Sequence, residues 1–278
     1  MKEFIVKKAD TLRNFTDNTY PQGSFCLDRL LKKRDVRVNG EKVGMNVSLA
    51  AGDRVTYYTT PAQEAKKAFD VIYADENVLV VDKDSGVNSE AVYAVLSEEI
   101  SDCRFIHRLD RNTQGLMIFA KTAAAEKELR AAFRERKVRK VYHAVCTGRF
   151  PADAAALTAY LKKDAAGSLV SVSDSPVGEK IVTEYRVLRR AGELTFVEVI
   201  LHTGKTHQIR AHLAHIGCPV LGDGKYGDKR TNARYARTRQ CLLAKELTVR
   251  TDGLLSYLGG RTFVSPRDLF SCFCEKEN

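Results

Sequence analysis

The chain has 278 residues, 44% of them hydrophobic and 29% charged, and a net charge of +10. Such a length allows one or two domains, and such a composition excludes a disordered or collagen-like chain. The positive excess points to an anionic partner, most commonly nucleic acid, while no stretch approaches the roughly 20 apolar residues that cross a bilayer.

In chain order, the charged start MKEFIVKKAD lacks the apolar run of a secretory leader, so a cytoplasmic protein is expected. In TLRNFTDNTYPQGSFCLDRLLKKRDVRVNG, Leu12 and Phe15 open a helical period. A turn is expected at Pro21-Gln22-Gly23, then a second helix capped by Ser24 and carrying Phe25, Leu27, Leu30 and Leu31. VRVNGEKV reads as a hairpin about Asn39-Gly40, and SLAAGDRVTYY adds a turn and a last short strand. Arg29, Lys32, Lys33 and Arg37 crowd this module, which suits phosphate contacts; the alternative is a solvated helix face. The order helix, basic helix, V-x-V-N-G hairpin and G-D-x-V resembles the small RNA-binding domain named after ribosomal small-subunit protein S-four. The polar connector TTPAQEAKKAFD puts a boundary near residue 62, giving a module of residues 1–62 and a larger domain of residues 63–278.

VIYADENVLVVDKDSG reads as strand, turn and strand, and residues 123–137 as a helix with Ala125, Leu129, Ala132 and Phe133 on one face. In VRKVYHAVCTG, Lys140, Tyr142, Ala144 and Cys146 share one strand face. IVTEYRVLRR and LTFVEVILHT are further strands, and THQIRAHLAHIG is a helix ending at Gly217. Strands recur with few helices between them. The fold class is therefore α+β: a mixed, largely antiparallel sheet flanked by helices, with the small α/β module in front. The seven cysteines are scattered and odd in number, which suits reduced thiols packed as small hydrophobes; the Cys272-x-Cys274 pair reads as incidental.

Three stretches bear on chemistry. Gly204-Lys205-Thr206 ends like a phosphate-binding P-loop, but Val199 stands where that loop needs glycine. His207, His212 and His215 share a helical stretch without the ligand set of a zinc site, so no metal is expected. In RFIHRLDRNTQG, Asp110 sits among Arg104, Arg108 and Arg111. A carboxylate so placed is held anionic, which suits a nucleophile or base and not a hydrolase acid. A structural salt bridge is the other reading. A two-carboxylate glycosidase would need a second acid, for which Asp102 and Asp223 are available without the apolar setting expected.

HRLDRNTQGLMIFAKT, then KVYHAV, then LHTGKTHQIRAHLAHIGCPVLGDGKYG resembles the RluA-type pseudouridine synthases in three ordered blocks, across residues 70 to about 250. Gln114, Lys205 and the K-D-S-G at residues 83–86 depart from the family pattern, and none touches the acid. The resemblance implies isomerisation of uridine to pseudouridine, with no cofactor, in structured RNA, ribosomal RNA of the large subunit above transfer RNA. It maps the essential aspartate onto Asp110, its salt-bridge partner onto Arg210 and the uracil-stacking ring onto Tyr142. Arg108 would displace the target base from its stack. His107, Thr113, Lys140, His207, Gln208 and Leu242 (or Leu243) would shape the substrate site, and Arg134, Arg136 and Lys137 would hold the RNA backbone. A monomer is expected. A rival reading is an RNA-binding protein that has lost catalysis, against which the intact Asp110, Tyr142 and Arg210 stand.

Overall fold

The computed structural model describes residues 1–164 and 169–273. Cys274 lies outside the described residues. Cys103, Cys146, Cys218 and Cys241 are buried free thiols.

In the first sixty residues, apolar side chains at helical and strand spacing close one small core. The elements are β1 (Lys2–Ile5), β2 (Asp10–Thr11), α1 (Leu12–Thr19), α2 (Pro21–Lys33), β3 (Val36–Val38), β4 (Glu41–Val43), β5 (Ser48–Leu49) and β6 (Arg54–Tyr57). Strands β1, β6, β3 and β4 form one sheet, and β2 pairs with β5. Leu12, Phe15, Leu27, Leu30, Val36, Val55 and Tyr57 are buried together. The hairpin turns at Asn39 and Gly40, both with positive φ, as the Asn-Gly pair predicts. The second helix differs from expectation. Pro21-Gln22-Gly23 is its first turn and not a linker, because proline at the first helical position gives up only an N–H that has no partner there. Ser24 is therefore no cap; its hydroxyl turns inward to Asp17. The strand β1 went unforeseen; it pairs with β6 along its whole length.

A short helix, α3 (Pro61–Glu64), leads to β7 (Phe69–Ala74) and β8 (Val78–Lys83). Then come α4 (Ser89–Glu99), β9 (Arg104–Phe105), β10 (Gln114–Ala120), α5 (Ala123–Arg134), β11 (Val138–Thr147), β12 (Ala154–Lys163), β13 (Val170–Ser173), β14 (Glu179–Ala191) and β15 (Leu194–Leu201). Helices α6 (Gln208–His215) and α7 (Lys229–Arg234) precede β16 (Leu242–Val249) and β17 (Thr262–Val264). One sheet runs β13-β12-β14-β15-β11-β16-β10-β8-β7, with β9 and β17 attached to β10 and β16. Its pairings are antiparallel except that of β10 with β16. Alternation sorts the side chains by face. Met117 and Phe119 pack with Ala91, Val92 and Leu96 of α4 on one side. Leu116 and Ile118 pack with Ala125, Leu129 and Ala132 of α5 on the other. The expected α+β sheet flanked by helices is what forms.

At the parallel junction Gly115 has φ +112°, and a Cβ there would lie 2.3 Å from the carbonyl oxygen of Ala244. Only glycine allows that approach. Gly115→Ala is expected to destabilise the protein by about 3 kcal/mol or more, since it adds left-handed strain to a backbone clash. Urea unfolding checks this.

Candidate active site

The loop between β9 and β10 carries Asp110, and short polar contacts hold almost every residue in it. The Ser89 hydroxyl donates to the Leu109 carbonyl at 3.0 Å and accepts from the Leu109 N–H at 2.9 Å. Thr113 N–H donates to the Asp110 carbonyl. The Arg111 carbonyl accepts from Gly86 N–H and from Lys83 Nζ at 3.1 Å. Ser85 Oγ donates to the Asn112 carbonyl, and Gln240 Nε2 to Thr113 Oγ1 at 2.6 Å. The K-D-S-G stretch thus forms the cradle of the loop. Lys83 is fully buried, and that burial pulls its ammonium down to about 7.

Asp110 itself reaches a cavity of about 300 Å³. Its side chain is 22% exposed, so it is neither sealed in nor free in solvent. Arg210, in the first turn of α6, donates Nη1 to Asp110 Oδ2 at 2.8 Å. The same guanidinium donates Nε and Nη2 to the two carboxylate oxygens of Asp223, at 2.6 and 2.9 Å. Burial drives the Asp223 carboxyl up, but the Arg210 hydrogen bonds and charge, with the Lys225 and Tyr226 N–H groups, hold it below the usual range. For Arg210, burial favours the neutral form, yet the two carboxylates win and keep it charged. One arginine therefore ties the acid to the buried frame through a second acid.

Tyr142 and Lys140 project from β11 into the same cavity, with Leu242 of β16 beside them. Leu243, the alternative to Leu242, packs on the opposite face with Val145 and Phe196. Tyr142 is buried, and burial followed by the Asp110 charge raises its phenol, so the ring is neutral. Burial, then the Arg136 charge, lowers the Lys140 ammonium. His107 accepts from Ile118 N–H at Nε2 and lies on Phe133, and burial pulls it down to about 3. His207 adopts φ +55°, a strained conformation for this residue type. Tyr226 Oη accepts from Val170 N–H and shares a hydrogen bond with His207 Nδ1 at 2.9 Å, which fixes the orientation of the imidazole. Gln208 has other partners than a substrate. Its amide bonds to Thr203, Lys205, Val182 and Thr183, which fixes the preceding loop. Arg108 lines the cavity mouth, exposed and paired with Glu90 at 3.0 Å.

The remaining expected residues lie outside the cavity. Arg29, Lys32 and Lys33 are exposed on α2 with no acidic partner among the described residues, and Arg37 lies over the Tyr58 ring. Arg136 is exposed beside Lys140, whereas Arg134 and Lys137 pair with Glu135. His212 is buried against Thr183, and burial pulls it down to about 4. Of the two acids weighed for a glycosidase, Asp102 is largely exposed and Asp223 is ion-paired, so neither sits in the apolar pocket such a reaction needs.

Residues 76–215, which carry this loop, the Tyr142 strand and the whole of α6, match the family described as RNA pseudouridylate synthase. The chain belongs to that family. Among relatives of the synthase is the ribosomal large subunit pseudouridine synthase C of Vibrio cholerae, 33% identical over 75% of this chain and 74% of the relative. An uncharacterized RNA pseudouridine synthase of Aquifex aeolicus is 33% identical over 82% of this chain and 80% of its own. Human RNA pseudouridylate synthase domain containing 1 superposes with a TM-score of 0.62 at 25% identity, covering 72% of the synthase and 83% of the human chain. The synthase is thus an isomerase that acts on RNA.

Two features of the site escaped the sequence reading. Asp223 appeared there only as an idle acid; its signal was G-D-G-K-Y-G, whose aspartate accepts from Lys225 and Tyr226 N–H and so turns its oxygens toward Arg210. The pins Lys83, Ser85, Ser89 and Gln240 left no such signal.

Proposed function

We propose that the synthase converts uridine to pseudouridine in structured large-subunit ribosomal RNA, with Asp110 as the catalytic carboxylate. The carrying observation is the Asp110–Arg210 bond at the rim of a cavity that also holds Tyr142 and Leu242. In this reaction the bond from sugar to uracil nitrogen breaks, the base turns, and ring carbon 5 joins the sugar; carbon 5 gives up its proton and the freed nitrogen takes one up. Asp110 serves as an anion whether it attacks the sugar or the ring or removes a sugar proton, and Arg210 orients it. The flipped uracil stacks on Tyr142 against Leu242, since a neutral ring buried on its far side offers a flat apolar face. Arg108 fills the gap left in the RNA; leaving Glu90 costs it one exposed ion pair, worth about 0–1 kcal/mol. Lys140, His107, His207 and Thr113 shape the wall, and Gln208 acts by holding the loop. The relatives' names support the ribosomal substrate.

The test is a map of pseudouridines in a strain lacking the protein. A uridine in large-subunit RNA that loses its modification, and regains it with the wild type but not with Asp110→Asn, supports the reading; an unchanged map overturns it.

Phosphate contacts by Arg29, Lys32, Lys33, Arg37, Arg134, Arg136 and Lys137 supply affinity that does not depend on sequence. Arg136→Gln is expected to weaken binding across unrelated RNAs. It should also make the slope of log affinity against log salt shallower by about 0.7 to 0.9, the yield of one phosphate contact. Filter binding at several salt concentrations reads this.

A further inference from the structure

We propose that Asp17 and Ser24 of the small module are positioning residues for Asp110, acting through Arg111. Arg111 follows the catalytic carboxylate directly, yet its side chain leaves the large domain. Nη1 donates to Asp17 Oδ2 at 2.5 Å, and Nη2 to Ser24 Oγ and carbonyl oxygen, both at 3.3 Å. Nε turns back to the Gly86 carbonyl at 3.2 Å. Asp17 and Ser24 are 6% and 5% exposed. The Ser24 hydroxyl donates to Asp17 Oδ1 at 2.6 Å, so the carboxylate presents its other oxygen to Arg111. A buried carboxylate needs such a counter-charge. Arg13, the other arginine whose charge reaches Asp17, is itself paired with Asp28. Beside the latch, Asn88 Nδ2 donates to Asn18 Oδ1 at 2.9 Å, so the end of α1 is joined to the start of α4.

Arg111 is thus gripped at both ends. Its carbonyl is held by Gly86 and Lys83 of the large domain, and its guanidinium by the module. The direction of the adjacent Asp110 depends on both grips. A docking role alone would set only where the module sits, and so would act on RNA affinity. A positioning role acts on turnover, because small displacements of a reacting group cost rate even when binding is intact.

The inference rests on Asp110 as the reacting group. The experiment measures tritium release from RNA labelled at uracil carbon 5, with kcat and KM resolved, on the full chain. Asp17→Asn is expected to lower kcat about tenfold with KM within about twofold. Arg111→Met should do the same, and the double variant should be no slower than either single one. Unchanged kcat, an effect confined to KM, or effects that multiply would overturn the proposal. If Asp17→Asn does not fold, Ser24→Ala decides, since it removes the hydroxyl's two orienting bonds, to Asp17 and from Arg111, and leaves the charges paired. A loss in kcat of about threefold supports the latch, and none overturns it. Asp110→Asn in the same assay separates the two readings. Turnover that survives it sinks the assignment of the site; turnover lost there but normal in Asp17→Asn sinks only the latch.

Discussion

Asp110→Asn is expected to lower tritium release by more than about a thousandfold while the fold persists. The substitution keeps the shape and leaves an oxygen that still accepts from Arg210 Nη1. The buried guanidinium stays neutralised, because Asp223 holds it through two bonds of its own. Stability should therefore move by less than about 1 kcal/mol, as for a polar side chain with an isosteric replacement. What is lost is the negative charge, and each route considered for Asp110 needs it. The check pairs tritium release with a urea melt. Turnover within tenfold of wild type from a folded Asp110→Asn protein would remove Asp110 from the chemistry.

Arg210→Leu is expected to lose both turnover and stability. The side chain of Asp223 is fully buried, and without Arg210 its charge keeps, among the described residues, the N–H groups of Lys225 and Tyr226 as partners. Removing one partner of a buried pair costs about 3 to 5 kcal/mol. In a chain of this size that is a fall in Tm of roughly 10 °C. The pH dependence has a definite sign. Asp223 has a folded-state pKa below its unfolded one, so the pair's contribution is fully present above the unfolded value of about 3.9. It fades as the pH falls from there through the folded value. The gap in stability between wild type and Arg210→Leu should be widest near neutrality and close as the solution is acidified below about pH 4. A gap that widened with acid would mean that Asp223 is neutral in the native protein. Arg210→Lys keeps a charge but loses the fork that reaches two carboxylates, and should fall between the two.

Local order was legible where one period or one turn decided it. The Asn39-Gly40 hairpin, α5 and the shared face of Lys140 and Tyr142 follow from side-chain alternation and turn chemistry. Strand β12 went unread because AAALTAYLKK favours helix by composition; pairing with β14 along eight residues overrides it. The start of α2 was misplaced because a proline that opens a helix and one that breaks a chain look alike locally. At the site, the motif identified Asp110 and Arg210, which stand one hundred positions apart and meet at 2.8 Å. The frame around them was illegible. Lys83, Ser85, Ser89 and Gln240 reach backbone or hydroxyl groups of the loop across long stretches of chain, and such contacts leave no periodicity. The module's hold on Arg111 is hidden for the same reason.

The placement of β16 has a consequence for how the protein is made. This strand lies between β10 and β11, both of which leave the ribosome about a hundred residues earlier. Until residues 242–249 emerge, the nascent chain holds Asp110 and Tyr142 on two half-sheets with open edges, which invite wrong pairing. The late strand closes the gap, gripping β11 over much of its length and β10 through only Gln114 and Gly115. The two halves of the candidate site are thus kept apart until residues 242–249 have been made, and a polypeptide that ends before Leu242 is expected to be inert.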